Sequence, residues 1–310
     1  MKLAFILLGL LGGANLVYMK WATEVISPMQ VAFLRVLFGF LPLVFAAWRQ
    51  GAITRAQVRL LPHFLMMAAG ATAFYFVAII KGTSMVPLGI AGVLGGSIAL
   101  FTALFSVVFL RSEKLTGVMA IGVVLGFLGI VLISRPWETG EGAISFTGVL
   151  WLLASSMILG LSYIYVRLFL SPANLPPLAL ATWQMGLALL ILFFCTDFTG
   201  ISHLLSSLRA TIGVVVGLGI LGTGAAFLLY YLLLQRMGAV ASSSANYLAP
   251  AVALLLGWFM GDRFGLVEVV AITLIFASTA LLQTQQRRAA STEEPPIAFV
   301  LPTLADESKE

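Results

Sequence analysis

Val25-Ile-Ser-Pro-Met-Gln-Val-Ala-Phe-Leu-Arg-Val-Leu-Phe-Gly-Phe-Leu-Pro-Leu-Val-Phe-Ala-Ala-Trp48 runs for 24 residues with a single charge, Arg35, near its centre. A helix needs roughly 20 mostly apolar residues to cross a bilayer, so this stretch is long enough to span. A guanidinium at mid-depth costs at least about 2.5–3.5 kcal/mol on insertion scales, and something in the fold has to offset that cost. Reading outward between charges gives nine more such stretches: Leu3–Met19, Leu60–Ile80, Val86–Leu110, Leu115–Ser134, Phe146–Val166, Leu175–Thr196, Ala210–Leu234, Ala239–Gly261 and Phe264–Gln283. Barrel strands would alternate over about ten residues, and these unbroken runs do not. The expected fold is an all-α integral membrane protein with ten transmembrane helices.

Composition agrees. Hydrophobic residues make up 61% of the chain and charged residues 9%, against about 45–50% and 25% in soluble proteins. The mean hydropathy is +1.07. Such a chain could not cover its own surface with polar groups. Cys195 is the lone cysteine, which excludes an internal disulfide framework. The formal charge of +5 is accounted for by membrane topology, so no nucleic-acid partner is expected. The lipid bilayer is. Lys2 and the apolar run after it suggest a secretion signal, but no small-x-small cleavage site follows, and the first span is read as uncleaved.

Lys and Arg in alternate connections set orientation. With the N-terminus inside, the inner set is Lys2, Arg49, Arg55, Arg59, Arg111, Lys114, Arg167, Arg236, Arg287 and Arg288, and the outer set is Lys20, Lys81, Arg135, Arg209 and Arg263. Ten against five predicts both termini in the cytoplasm. The polar, aperiodic segment 287–310 reads as a disordered tail.

The chain also repeats itself. A shift of 149 residues brings Pro28 onto Pro177, Arg35 onto Gln184, Ser97 onto Asn246 and Glu113 onto Asp262. A shift of 147 pairs Tyr18 with Tyr165 and Lys20 with Arg167. The expected units are residues 1–140 and 141–286. Each holds five spans, and five is odd, so the second unit must insert upside down. Inverted-topology repeats are the architecture of many secondary transporters and place the substrate near the midplane between the halves.

Gly12-Gly-Ala-Asn-Leu-Val-Tyr-Met-Lys20, then Ser27-Pro28 and Phe33-Leu-Arg35, resemble the opening of EamA-type members of the drug/metabolite transporter superfamily. Their first repeat reads Trp-Gly-x-Asn-Phe-x-x-x-Lys, then Pro, then Phe/Leu-Arg. Pro250 with Gly261-Asp262-Arg263-Phe264, and Ser112-Glu113-Lys114-Leu115 in the first half, resemble the Pro and Gly-Glu-x-Leu at the end of each family repeat. The resemblance covers about residues 3–285. Gly12 stands where the family has Trp, and Phe101 where the first-half Pro would fall. The resemblance implies a ten-helix exporter of amino acids or other small metabolites in a bacterial-type inner membrane. It also implies that spans five and ten lie outside the cavity, and a homodimer is compatible with it.

Several residues are candidates for the substrate site. Arg35 either holds a substrate carboxylate or ties helices together and gates. Asn15 either contacts substrate or binds a neighbouring helix across the face of Gly9, Gly12 and Gly13, since small residues let membrane helices approach. Lys20 either guards the outer mouth or snorkels to the interface. Ser97, in Gly95-Gly96-Ser97, and Asn246 with Tyr247, form two symmetry-related mid-span patches that suit a cavity wall. Gln184 matches Arg35 across the repeat. Among the central aromatics, Tyr75 and Trp183 are named for an apolar slot.

No Asp or Glu lies well inside any span, which disfavours a cationic-drug/proton antiporter built on a buried carboxylate and suits a neutral or zwitterionic substrate. His63, near the inner end of the third span, reads as an interfacial residue. Two His, one Cys and no buried acids leave little for an enzyme, with neither HExxH nor GxxxxGK[ST] present. No cofactor or metal is expected. A drug or nucleotide-derivative carrier, or a lipid-handling or channel-like protein, is the rival reading.

Overall fold

The computed structural model describes residues 2–110, 116–135, 137, 144–173, 175–230, 232–233, 248–262 and 265–292. Among them there is no strand, and nine helices are long and apolar enough to cross a membrane, with one shorter apolar helix besides. In chain order they are α1 (Lys2–Thr23), α2 (Pro28–Arg49), α3 (Arg55–Met85), α4 (Leu88–Phe109), α5 (Gly117–Ser134), α6 (Phe146–Ala173), α7 (Pro177–Cys195), α8 (Leu208–Tyr230), α9 (Leu248–Phe259, the short one) and α10 (Leu266–Thr292).

Local chemistry sets the starts. Ser27 accepts from the Gln30 backbone N–H and Gln30 returns the bond to the Ser27 N–H, with Pro28 in the first turn of α2. This capping box satisfies two of the amides a helix start leaves open. Thr116, Ser145 and Ser207 cap α5, α6 and α8 through single side-chain bonds. Helix α10 runs on to Thr292, so Arg287–Thr292 is helical, contrary to the expected tail from residue 287. Its Ala289-Ala290 favours helix, and no breaker intervenes before Pro295. Residues 293–310 of that tail lie outside the described residues.

The helices pack by an exchange rule. Helix α1 lies against α8 and α9, and α6 lies against α3 and α4; α2 packs on α8, and α7 on α3. The pairs α2–α7, α4–α9 and α5–α10 also form. Replacing every helix by the fifth one along returns these main pairings, whereas the contacts of α1 and α2 with α3 and of α4 with α10 have no comparable counterpart among the described residues. Directions follow from facing residues. Gly9 faces Leu248 and Gly13 faces Val252, so α1 and α9 run together. Gly257 faces Gly89 and Gly96 faces Pro250, so α9 and α4 run opposed. Ser156 meets Leu94 and Gly160 meets Phe101, so α4 and α6 run together. Hence α1 is antiparallel to α6, and the second set of five is inverted relative to the first.

Small residues make these contacts possible, as expected where lipid offers no hydrophobic drive. Gly122, Gly126 and Gly129 of α5 seat Leu282, Ser278 and Ile275 of α10, and the Ser278 hydroxyl donates to the Gly122 carbonyl at 2.6 Å. This pair stands to one side, touching α4 but no helix of the α1–α2–α7–α8 group with comparable closeness. Helix α4 breaks between Leu88–Gly95 and Ile98–Phe109. Gly96 and Ser97 fill the break in place of the absent Pro.

Two helices carry wide turns near mid-depth, Ala68–Phe74 of α3 and Gly213–Ala225 of α8. Tyr75 N–H reaches back to the Gly70 carbonyl and Ala226 N–H to Leu221, the five-residue spacing of a π-turn. Such turns are frequent at functional positions.

Candidate functional site

Arg35 is buried at 6% exposure, and its surroundings explain how lipid depth tolerates it. The Nε–H donates to Thr223 Oγ1 of α8 at 3.0 Å. The guanidinium carbon lies 4.1 Å from the centre of the Phe76 ring of α3. The Thr223 hydroxyl donates in turn to the Leu218 carbonyl at 2.8 Å, five residues back in the wide turn. A hydrogen bond to a charged group contributes about 1.5–3 kcal/mol and a desolvated cation–π contact about 2 kcal/mol. Together they are of the size of the insertion cost. Arg35 Nη1 is nevertheless buried with no hydrogen-bond partner. Tyr75 stands beside Phe76, ring centroids 5.3 Å apart.

Asn15, 7% exposed, reaches the neighbouring residue of the same turn. Its Nδ2 donates to the Gly222 carbonyl at 3.2 Å, while its Oδ1 is buried without a partner. A Cβ at Gly222 would collide with this amide, so only glycine lets α1 and α8 approach here. Gly9, Gly12 and Gly13 face α9; the glycine face of α1 and the Asn15 contact thus serve two different neighbours.

The symmetry-related contact is present with different chemistry. Gln184 of α7 donates through Nε2 to Thr72 Oγ1 of α3 at 2.7 Å, again onto a wide turn. Thr72 stands one turn before Phe76, so the Gln184 and Arg35 pairs share α3. Trp183 faces elsewhere. Its indole N–H donates to Gln57 Oε1 at 2.9 Å, and its ring stacks on Phe64 at 5.7 Å with 6° between planes.

Lys20 and Ser97 lie apart from this cluster. Lys20 Nζ reaches the Val86 carbonyl at the end of α3, at 3.4 Å, where a cation suits the helix C-terminus. Ser97 sits buried in the α4 break with its hydroxyl unpaired. Asn246 and Tyr247 lie outside the described residues. The structure therefore brings together Asn15, Arg35, Tyr75 and, through α3, Gln184. Thr223, Gly222, Phe76 and Thr72 escaped the sequence reading. The one signal for Thr223 is a hydroxyl alone in the glycine-rich run Gly213–Ala225.

The two ends of the bundle differ. At the end holding Glu24, Gln30 Nε2 donates to the Asp197 and Thr199 carbonyls at 2.8 and 2.9 Å. An open cleft of about 500 Å³ beside it is lined by Thr23, Glu24, Gln30, Asp197 and His203. All four carboxylates among the described residues are at this end and engaged. Glu24 pairs with Arg209 and Glu268 with Arg135, each at 2.6 Å. Asp262 accepts from Gly89 N at 2.8 Å and Asp197 from Thr199 N at 2.9 Å. Hydrogen bonds from the Thr199 side chain and backbone hold the Asp197 carboxyl below its ordinary range. At the opposite end His63 Nδ1 and the Tyr165 hydroxyl lie 2.8 Å apart, and His63 stacks on Phe169. Arg49, Arg55, Arg59 and Arg167 lie at this end.

Comparison with known proteins supplies the family. The EamA-like transporter family matches residues 2–135 and again 146–284. The chain belongs to the EamA-like transporter family. It is 27% identical over 239 residues to an uncharacterized transporter of Archaeoglobus fulgidus, covering 77% of this chain and 82% of that one. It is 23% identical over 276 residues to the uncharacterized transporter YoaV of Bacillus subtilis, covering 89% and 92%. A solved crystal structure superposes with a TM-score of 0.53 at 20% identity, covering 91% of this chain and 98% of its own, a likeness of fold. The protein is thus a multi-pass membrane protein of a transporter family, as the motifs around Asn15, Arg35 and Asp262 implied.

Proposed function

We propose that this protein is a secondary transporter that moves small amphipathic metabolites, amino acids first among them, out of the cell by alternating access. Residues 1–140 and 141–286 form its two inverted repeats, and both termini lie in the cytoplasm. The observation that carries the reading is the exchange rule in the helix contacts. A bundle whose main helix pairings recur when its halves are swapped can form two related arrangements, one open to each side. The basic end with Arg49, Arg55, Arg59 and Arg167 suits the cytoplasmic face, and the Glu24 end suits the outside. On this reading the Gln30 contacts with Asp197 and Thr199 close the outer end, and the His63–Tyr165 contact closes the inner one. The polar cluster on the two wide turns lies between them.

Counterflow in proteoliposomes, with labelled amino acids and with or without a pH gradient, tests this. The expected result is accumulation of one labelled compound that depends on the same compound inside. Its absence for every amino acid, with folded protein, would turn the reading to drugs, nucleotide derivatives or lipids.

A further inference from the structure

Two cations at the Glu24 end lie on tryptophan rings, and one of them lacks a counter-charge. The Arg209 guanidinium carbon is 5.2 Å from the Trp21 ring centre, and its Nη2 pairs with Glu24. Lys81 Nζ lies 4.6 Å from the Trp151 ring centre, and among the described residues no carboxylate pairs with it. Glu24, Glu268, Asp262 and Asp197 are each engaged elsewhere. Lys81 is exposed and stands one turn before Met85, where α3 ends. At 1.5 Å per residue this sets it about 6 Å inside the helix end, the level at which Lys and Trp anchors meet lipid headgroups.

Beside this pair α6 carries a groove. Thr147, Leu150, Trp151 and Ala154 line about 290 Å³ of open space, and their spacing puts them on one stripe of the helix. The lining side chains are apolar apart from the Thr147 hydroxyl and the Trp151 indole N–H. Leu150 is half exposed. Phe74 of α3 flanks the Trp151 ring, centroids 6.3 Å apart. Phe74 and Lys81 are about two turns apart on α3, so the ring meets an aromatic on its deeper side and an ammonium nearer the helix end. An apolar slot beside an uncompensated cation fits a molecule with a hydrocarbon chain and an anionic head. A second copy of this chain fits less well, because every described carboxylate is already engaged and none is left to meet Lys81 across an interface.

We propose that this groove binds an anionic phospholipid, one acyl chain lying along Leu150, Trp151 and Ala154 and the phosphate meeting Lys81 Nζ, with the Thr147 hydroxyl as a further donor. The Trp151 ring serves both parts of the lipid, since it steadies the ammonium and walls the chain. Lys81 belongs to α3 and the groove to α6, so the lipid bridges two helices that pack closely on each other. The site requires only that the chain sits in a bilayer and is independent of what it transports.

Trp151 reports on its own neighbour. Purified full-length protein is placed in phosphatidylcholine vesicles, and acyl-brominated phosphatidylglycerol or acyl-brominated phosphatidylcholine is titrated in. The difference in quenching between the wild type and Trp151→Phe isolates one of the six tryptophans. Half-quenching of Trp151 is expected at an about fivefold lower mole fraction of the anionic lipid, the weight of one basic residue against an anionic lipid surface. Lys81→Gln should remove that preference and Lys81→Arg should keep it. If Trp151→Phe does not fold, total quenching in the wild type and Lys81→Gln decides by the same criterion. Equal quenching by both lipids overturns the site, as does an anionic preference that survives Lys81→Gln. Relief of the quenching by soluble glycerol phosphate would assign Lys81 to free phosphates instead, and a Trp151 shielded from both lipids would mean that protein covers the groove.

Discussion

The α2–α8 and α7–α3 contacts occupy the same place in the two halves and differ in one respect. In both, a long polar side chain from the middle of a helix donates to a threonine on a wide turn, Arg35 to Thr223 and Gln184 to Thr72. One donor is a cation with an open nitrogen, the other a neutral amide. The scaffold is symmetric and the charge is not. On the proposed carrier reading, the contact that would serve movement is built twice, while the charge is built once. A neutral amide at both places would leave a rocking bundle with no preference for an anion.

The comparison can be broken most severely at Gly222. A side chain there would displace Asn15 and separate α1 from α8. Overpacking typically costs 1–3 kcal/mol, occasionally more, so Gly222→Leu should lower the thermal midpoint and eliminate flux. Full flux at an unchanged midpoint would mean that α1 and α8 are not in contact.

Arg35→Gln makes the halves chemically alike. Expression and monodispersity should persist, because a glutamine already serves at the matching position, while flux falls at least tenfold. Unchanged flux would remove Arg35 from the mechanism.

Smaller differences follow from the threonines. Thr223→Val leaves the guanidinium Nε without its acceptor, at a cost of about 1.5–3 kcal/mol for a bond to charge, whereas Thr72→Val removes a neutral bond of about 1 kcal/mol. Thermal unfolding of the two variants should rank them in that order; the reverse ranking would contradict the charge asymmetry.

Asp197 gives the least effect. An acid whose carboxyl is held low in the folded state contributes stability that is complete above its unfolded value, about 3.9, and is lost as pH falls through the folded value. Asp197→Asn should thus lower stability slightly at pH 6–8, and its difference from the wild type should shrink as pH falls below about 4. A difference that grows as pH falls below about 4 would contradict a carboxyl held low by the Thr199 bonds.

Much of this was legible in the sequence because lipid imposes simple rules. A span must be apolar and about 20 residues long, so nine helices and the short Leu248–Phe259 overlap the expected stretches, with α3, α6 and α10 running more than a turn past theirs. Arg35 and Asn15 were legible because polarity at depth is costly, and Gln184 because the repeat placed it opposite Arg35. Their partners were not. Thr223 and Thr72 pass as ordinary tolerated hydroxyls, and wide turns leave no compositional mark. Trp183 read as a central aromatic, but its indole bond to Gln57 turns it toward the His63 end. Helix α10 outran its expected end because alanine favours helix even among charges.

The central claim is that the two ends open in turn. Its most direct test is cross-linking on a Cys195→Ser background, since Cys195 is the lone cysteine and exposed. One variant carries cysteines at Gln30 and Thr199, the other at His63 and Tyr165, each bridged by a short reducible linker. Counterflow should stop when either end is locked and return on reduction. Counterflow that continues in either cross-linked variant would contradict alternating access in this protein.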